Sequence, residues 1–418
     1  MSFEAISLIV LIAVFAIGAF KKNPLHIGIL AMGVAFFLGK AAGLKDVAIM
    51  GFFPTTLFVR VFGILFFFAI AQANGAIELL AKKIIAKTGK NAKLMPFFIF
   101  YTGVILGSIG INSLAGMAIL SGIGISLAVA SGTDALLYGL AGGYGIACGC
   151  YSPINEYCVN ITTACETAGL EVNLMSIYIF CLVAFSISFL VIYLLLGGYK
   201  AKGTVDAAIV ANLPEFTRGQ VISLIGIVAV IAVVVLLKWD IGWAGMIVAI
   251  ACILLGACKC GDALKKVSLP SLILICGVGL LVNLVSELGG FTLLSSMLAS
   301  IMSTHTVAPL MCLTSSVVSL FTISRLVVLT LVPTLPGILE AIPTASVALA
   351  VAATCAGAFA SSIGPLSSNG ALIMTNLGMQ LGEETAEKSF TRLLVMGIVG
   401  GLVVALCCFV ASMLGIFG

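Results

Sequence analysis

Charge is the scarcest property of this sequence. Only 9% of its 418 residues are Asp, Glu, Lys or Arg, against about 25% in soluble globular proteins. A soluble body of this size needs charge to cover its surface, so an ordinary soluble enzyme and a disordered chain are both excluded. The net charge of +4 is too small and too scattered for a polyanion partner such as nucleic acid. Histidine is nearly absent: His26 and His305 lie in different halves, and both read as interfacial. No His, Asp and Glu cluster has catalytic spacing, which argues against a membrane-embedded enzyme. A zinc-spaced cysteine set is missing as well. Cys258 and Cys260 have no second pair, while Cys181, Cys252, Cys276, Cys312, Cys407 and Cys408 lie in apolar runs, where free cysteine acts as a small hydrophobe. The N-terminus lacks a basic region and a small-residue cleavage site, so it reads as a first transmembrane helix and not as a signal peptide.

What is present is apolar surface. Hydrophobic residues make up 61% of the chain, against about 45–50% in soluble proteins, and the 46 glycines fit close helix contacts in a membrane. Read by length, apolar segments run near 5–20, 25–41, 57–74, 94–131, 134–168 and 174–196, then 219–237, 241–257, 269–287, 306–340, 344–380 and 389–416. The second series copies the first. At an offset of 214, Gly63 falls on Gly277, Gly75 on Gly289 and Leu79 on Leu293; at 212, Ser152-Pro153 falls on Gly364-Pro365; at 211, Ser113 falls on Ser324. Such a spacing indicates an internal repeat.

Two segments in each half are interrupted by polar backbone. The stretch 94–131 is too long for one span and holds Gly107-Ser108-Ile109-Gly110-Ile111-Asn112-Ser113 at its centre; 306–340 holds Thr322-Ile323-Ser324-Arg325. These read as re-entrant hairpins. The stretches 134–168 and 344–380 are broken at Ser152-Pro153-Ile154-Asn155 and at Gly364-Pro365-Leu366-Ser367-Ser368-Asn369-Gly370, and read as broken helices. Short amphipathic pieces, 76–88 and 291–302, precede the hairpins. The expected fold is an all-α polytopic membrane protein of about ten transmembrane helices plus two hairpins. It divides into two inverted-topology repeats, 1–196 and 219–418, joined by a cytoplasmic linker, 197–218. Fifteen of the twenty Lys and Arg, in the groups around Lys21, Lys82, Lys200, Lys259 and Lys388, fall on one side of this arrangement, and Lys40, Lys45 and Lys238 on the other. The positive-inside rule makes the first side cytoplasmic and puts both termini outside.

Hairpin tips and helix breaks at mid-membrane build a small-solute site from helix ends. Ser108, Asn112, Ser113, Ser152 and Asn155 offer hard neutral oxygens in the first half, suited to an alkali cation or, alternatively, to capping helix ends. Thr322, Ser324, Ser367, Ser368 and Asn369 do so in the second. An arginine at membrane depth needs a partner. For Arg325 a substrate carboxylate matches the guanidinium fork, with a structural ion pair as the alternative. Arg60, near the start of its span, reads as snorkelling or structural. Glu156 is open between relaying a proton, holding a cation and pairing with Arg60 or Arg325. Glu383, Glu384, Glu387 and Lys388 read as a solvated loop and helix cap.

The segment Asn23-Pro24-Leu25-His26, the run Ala69-Ile70-Ala71-Gln72-Ala73-Asn74-Gly75 and the two Pro-containing breaks resemble the malonate/dicarboxylate carrier family of the ion transporter superfamily, over nearly the whole chain. The resemblance implies secondary transport of malonate or C4-dicarboxylates across the plasma (cytoplasmic or inner) membrane, and a homodimer. The related divalent-anion/sodium symporters bind sodium and substrate at a Ser-Asn-Thr tip on each hairpin and move the site as an elevator. Here the tips are instead Ile111-Asn112-Ser113 and Thr322-Ile323-Ser324. The expected function is sodium-coupled dicarboxylate symport, with protons possible in place of sodium and no organic cofactor. Sodium is expected at Ser108, Asn112, Ser113, Asn155, Thr322, Ser324 and Ser367, and substrate at Asn112, Ser113, Asn155, Ser324, Arg325, Ser368 and Asn369. A sodium/proton antiporter exchanging at Glu156 is the alternative, followed by a channel or a non-transporting scaffold.

Overall fold

A computed structural model describes residues 2–19, 25–87, 91–201, 212–320 and 322–417. Lys21, Lys22, Asn23, Pro24, Lys90, Lys202 and Asp206 lie outside the described residues. The described chain is helical, and eight helices are long and apolar enough to cross a membrane, counting Ser324–Ala341 and Val347–Leu381 as continuous.

The 94–131 stretch forms two helices, Met95–Ser108 and Ser113–Ala130. The first has 14 residues, about 21 Å at 1.5 Å per residue, shorter than the roughly 30 Å hydrocarbon core. The next stretch also divides, into Ala135–Gly149 and Glu156–Ala168. Register along Ala135–Gly149 fixes the direction of its neighbours. Gly103 lies against Gly145 and Gly107 against Gly149, so Met95–Ser108 runs parallel to it. Gly124 lies against Tyr138 and Gly142 against Leu120, so Ser113–Ala130 runs antiparallel. The two arms therefore double back on each other. Their outer ends share one side of the molecule, where Tyr138 Oη donates to the Ala92 carbonyl at 3.1 Å.

In the second half, Val307–Ser319 is followed by Ser324–Leu331, a 3-10 turn at Val332–Thr334, and Leu335–Ala341. Thr304 and Thr344, at the outer ends, are hydrogen-bonded at 2.5 Å. The stretch after it is Val347–Ala360, a 3-10 turn at Ser361–Ile363 and Ser368–Leu381. Each folded-back pair packs on the broken stretch of the other half. Asn376 Nδ2 donates to the Ala118 carbonyl and Ser121 Oγ at 3.0 and 2.8 Å, and Arg325 of the second pair reaches Glu156 of the first broken stretch, while Tyr157 Oη donates to the Cys355 carbonyl at 3.3 Å between the two broken stretches.

A second group of helices crosses at glycines. Thr55–Ala73 meets Ile241–Leu254 where a Cβ on Gly63 would stand 2.1 Å from the Gly242 carbonyl oxygen. Ile27–Ala41 meets Leu269–Glu287 where a Cβ on Gly277 would stand 2.1 Å from the Gly28 carbonyl oxygen. Gly242 and Gly277 are Gly28 and Gly63 displaced by 214 positions. Only glycine permits such approach. Gly75 and Gly289, also 214 apart, both turn the chain with φ of 74° and 78° into short helices, Ala76–Ala86 and Gly290–Ala299.

Three features differ from the sequence reading. Short helices form at Asp46–Gly51 and Cys260–Lys266, where none is expected. The last helix, Glu383–Met413, begins six residues before the expected 389. Glu383 and Glu384 lie in its first turn, where carboxylates complement the exposed N–H groups, and Lys388 pairs with Glu384 at 2.7 Å one turn on.

Candidate functional site

The first hairpin tip and the first helix break are tied together by two amides. Asn155 caps Glu156–Ala168 by accepting the Tyr157 N–H at 2.9 Å, and its Nδ2 donates to the Gly107 and Ile111 carbonyls at 2.8 and 3.1 Å. Gly107 lies in the last turn of the first arm and its carbonyl also accepts the Gly110 N–H at 3.0 Å, whereas Ile111 lies in the interruption itself, where Asn155 supplies a donor to its carbonyl. Asn112 caps Ser113–Ala130 by accepting the Ala115 N–H at 3.2 Å, and its Nδ2 donates to Glu156 Oε1 at 2.5 Å.

Arg325 enters this cluster from the second half. Its Nη2 donates to Ser113 Oγ at 3.0 Å and forms an ion pair with Glu156 Oε1. Both partners are buried, Arg325 with 3% and Glu156 with 1% of the side chain exposed. Glu156 is the first residue of its helix, where the dipole favours an anion, while Arg325 sits in the first turn of Ser324–Leu331, where the dipole disfavours a cation. The carboxylate therefore compensates both the burial of the guanidinium and its unfavourable helix end. A substrate carboxylate as the only partner of Arg325 is thus replaced, in this structure, by an internal one.

The other expected residues do not all converge. Ser108 Oγ donates to the Val104 carbonyl at 2.6 Å and is hydrogen-bonded to Tyr178 at 2.7 Å, which turns it away from the tip. Ser367 Oγ bonds the Ser362 and Gly364 carbonyls and accepts the Gly370 N–H, closing its own break. Asn369 donates to Ser362 Oγ at 2.9 Å. Ser368 is exposed. Ser152 and Ser324 are buried, as is Thr322, whose Oγ1 has no partner among the described residues. Capping explains Ser367, whose oxygen is spent on an N–H freed by the break, whereas Ser108 and Asn369 are held by bonds to Val104, Tyr178 and Ser362.

Beside Asn112 lies a cavity of about 180 Å³, also lined by Gln72, Ala115, Lys266 and Ser268. Arg60 is placed elsewhere, near the opposite end of Thr55–Ala73, paired with Glu166 at 2.7 Å and Asp240 at 2.6 Å. Its side chain is 20% exposed and engaged by two carboxylates, an ion-paired and structural arrangement. Sequence reasoning missed Tyr178, Ser362 and Asn160. Asn160 alone carried a signal, as an amide one turn after Glu156 in a largely apolar helix.

Residues 1–150 match the family described as the N-terminus of dicarboxylate carrier protein MatC. No curated protein matches the chain. Among solved structures, the chain is similar to the YdaH transporter of Alcanivorax borkumensis, whose crystal structure is described as revealing an unusual topology. The TM-score is 0.66 at 13% sequence identity, covering 98% of this chain and 99% of that one. Over residues 1–150 the chain is thus similar to the MatC dicarboxylate carrier N-terminal family, and over nearly its whole length its fold is similar to that of the YdaH transporter.

Proposed function

We propose that this protein is a secondary active transporter of small dicarboxylates, malonate or a C4 acid, working as a sodium-coupled symporter. The observation that carries this reading is the buried Arg325, contributed by the second half to the first-half hairpin tip, with Ser113 and Glu156 as its partners. A guanidinium offers five donors, and among the described residues two acceptors engage it, Ser113 and Glu156, so a carboxylate can replace Glu156 at the same fork. The cavity beside Asn112 carries Lys266, a second cation suited to an approaching dianion.

The architecture behind this reading is two inverted repeats, 1–196 and 219–418, with hairpins at 94–131 and 306–340. Reciprocal Gly63–Gly242 and Gly28–Gly277 contacts support it, because a pseudo-two-fold axis exchanges the members of such pairs. The hairpins and broken helices form one interlocked body, and the glycine-crossed helices another. Sliding the first body past the second is the elevator motion. Both termini lie outside the plasma membrane, and the unit is a homodimer.

Uptake into proteoliposomes across a panel of mono-, di- and tricarboxylates, with sodium and proton gradients varied independently, tests the reading. Saturable dicarboxylate uptake driven by inward sodium is expected. Uptake indifferent to carboxylate number, or none with any acid, overturns it. The alternative, sodium/proton antiport, draws on the internal pairing of Arg325 with Glu156, which satisfies the arginine without cargo. Malonate or succinate that stabilises the protein against heat in sodium but not in choline excludes that alternative.

A further inference from the structure

Glu156 uses one carboxylate oxygen and leaves the other bare. Oε1 accepts from both Asn112 and Arg325, whereas the buried Oε2 has no hydrogen-bond partner among the described residues. One turn on, Asn160 is fully buried. Its Nδ2 donates to the Glu156 carbonyl at 2.9 Å, which fixes the amide orientation and leaves Oδ1 without a donor. A turn further, Thr163 Oγ1 is a third buried oxygen with no partner among the described residues. Positions i, i+4 and i+7 share one helix face, with successive Cβ atoms about 5–6 Å apart. The same face ends beside Glu166, which holds Arg60.

Buried polar atoms are almost always satisfied, and Oε2 and Oδ1 are both pure acceptors. A carboxylate oxygen and an amide oxygen one turn apart on the same helix face, both buried and neither with a hydrogen-bond partner among the described residues, match a hard cation in chemistry. The amide oxygens of Asn112 and Asn155 differ in this respect, since each already accepts a helix N–H.

We propose that Glu156 Oε2 and Asn160 Oδ1 form an alkali-cation site, and that a cation bound there draws Glu156 away from Arg325 and frees the guanidinium for a dicarboxylate. This rests on the carrier reading above and gives its coupling a charge balance. With no cargo, Arg325 and Glu156 neutralise each other. A cation on Glu156 leaves the positive charge of Arg325 uncompensated inside the protein, and a substrate carboxylate restores the balance. Each ligand therefore tightens the other, by about 5- to 150-fold for couplings of ordinary size.

The test is thermal unfolding of the purified full-length protein in detergent, with sodium chloride titrated against choline chloride at constant ionic strength. Sodium alone should stabilise the wild type, and Asn160→Ala should raise the sodium midpoint at least about tenfold. If Asn160→Ala does not elute as a monodisperse species, Asn160→Gln takes its place, since it displaces the oxygen by one methylene while keeping the amide. Absence of any sodium effect, or an unchanged midpoint in the folded variant, overturns the site. Saturating malonate or succinate should lower the wild-type sodium midpoint. Dicarboxylate stabilisation that is the same in sodium and in choline overturns the coupling. Sodium binding lost in the Asn160 variant, together with no response to any dicarboxylate, upholds the site and refutes the carrier reading instead.

Discussion

Gly63 and Gly242 touch backbone to backbone: a Cβ on Gly63 would lie 2.1 Å from the Gly242 carbonyl oxygen. No rotamer relieves such a contact, because neither partner atom belongs to a side chain. Gly63→Ala and Gly277→Ala should each destabilise the protein by about 1–3 kcal/mol, the cost of overpacking. Gly33→Ala is the control. Nothing lies within 4 Å of its added Cβ, and alanine is the better helix former by about 1 kcal/mol. Melting temperatures in detergent should fall for the first two and hold or rise for the third.

Breaking the Arg325–Glu156 pair from one side leaves a bare charge in the interior. Arg325→Gln and Glu156→Gln should each cost about 3–5 kcal/mol, while Arg325→Met combined with Glu156→Leu should recover most of the loss. A double-mutant cycle on unfolding temperature measures this directly. Loss of uptake in Arg325→Gln alone therefore does not identify a substrate contact. Arg325→Lys is more informative, since it keeps the charge and loses the fork. It should retain stability better than uptake.

Asn155 joins the hairpin tip to the break, so its loss should be felt as stability. Asn155→Ala removes a helix cap worth about 1 kcal/mol and strips the Ile111 carbonyl of its partner, at about 1–3 kcal/mol if it stays dry, while the Gly107 carbonyl keeps the Gly110 N–H. Asn155→Ser keeps a cap oxygen and should recover about 1 kcal/mol. Equal melting temperatures for the two variants would contradict the capping role.

Arg60, with its partially exposed acidic partners, should behave as an ordinary surface network. Arg60→Ala is expected to cost about 1 kcal/mol or less. The cost should shrink between about 0.05 M and about 1 M salt as screening shortens the reach of each charge. A salt-independent loss would place Arg60 in a more enclosed setting than its 20% exposure indicates.

Much of this was legible in one dimension. Apolar runs marked most helices, because lipid demands long stretches without charge, and the polar interruptions marked the places where helices end. Capping was the alternative reading of the Ser and Asn oxygens, beside cation binding, and it is what Asn112, Asn155 and Ser367 do in the structure. Other features were not legible. Ser108 faces Tyr178, 70 positions away, and Ser367 and Asn369 fold onto their own break; side-chain direction at a tip depends on neighbours that no local pattern encodes.

Composition and periodicity alone settled the apolar character of the chain, its helices and the position of its breaks, since each follows from a residue's own transfer energy and backbone preference. The pairing of Arg325 with Glu156, 169 positions apart, came from the fold. So did the bare oxygens on Glu156 and Asn160. A buried charge must find compensation somewhere, which the sequence states as a requirement; which group meets it depends on the packing of one half against the other.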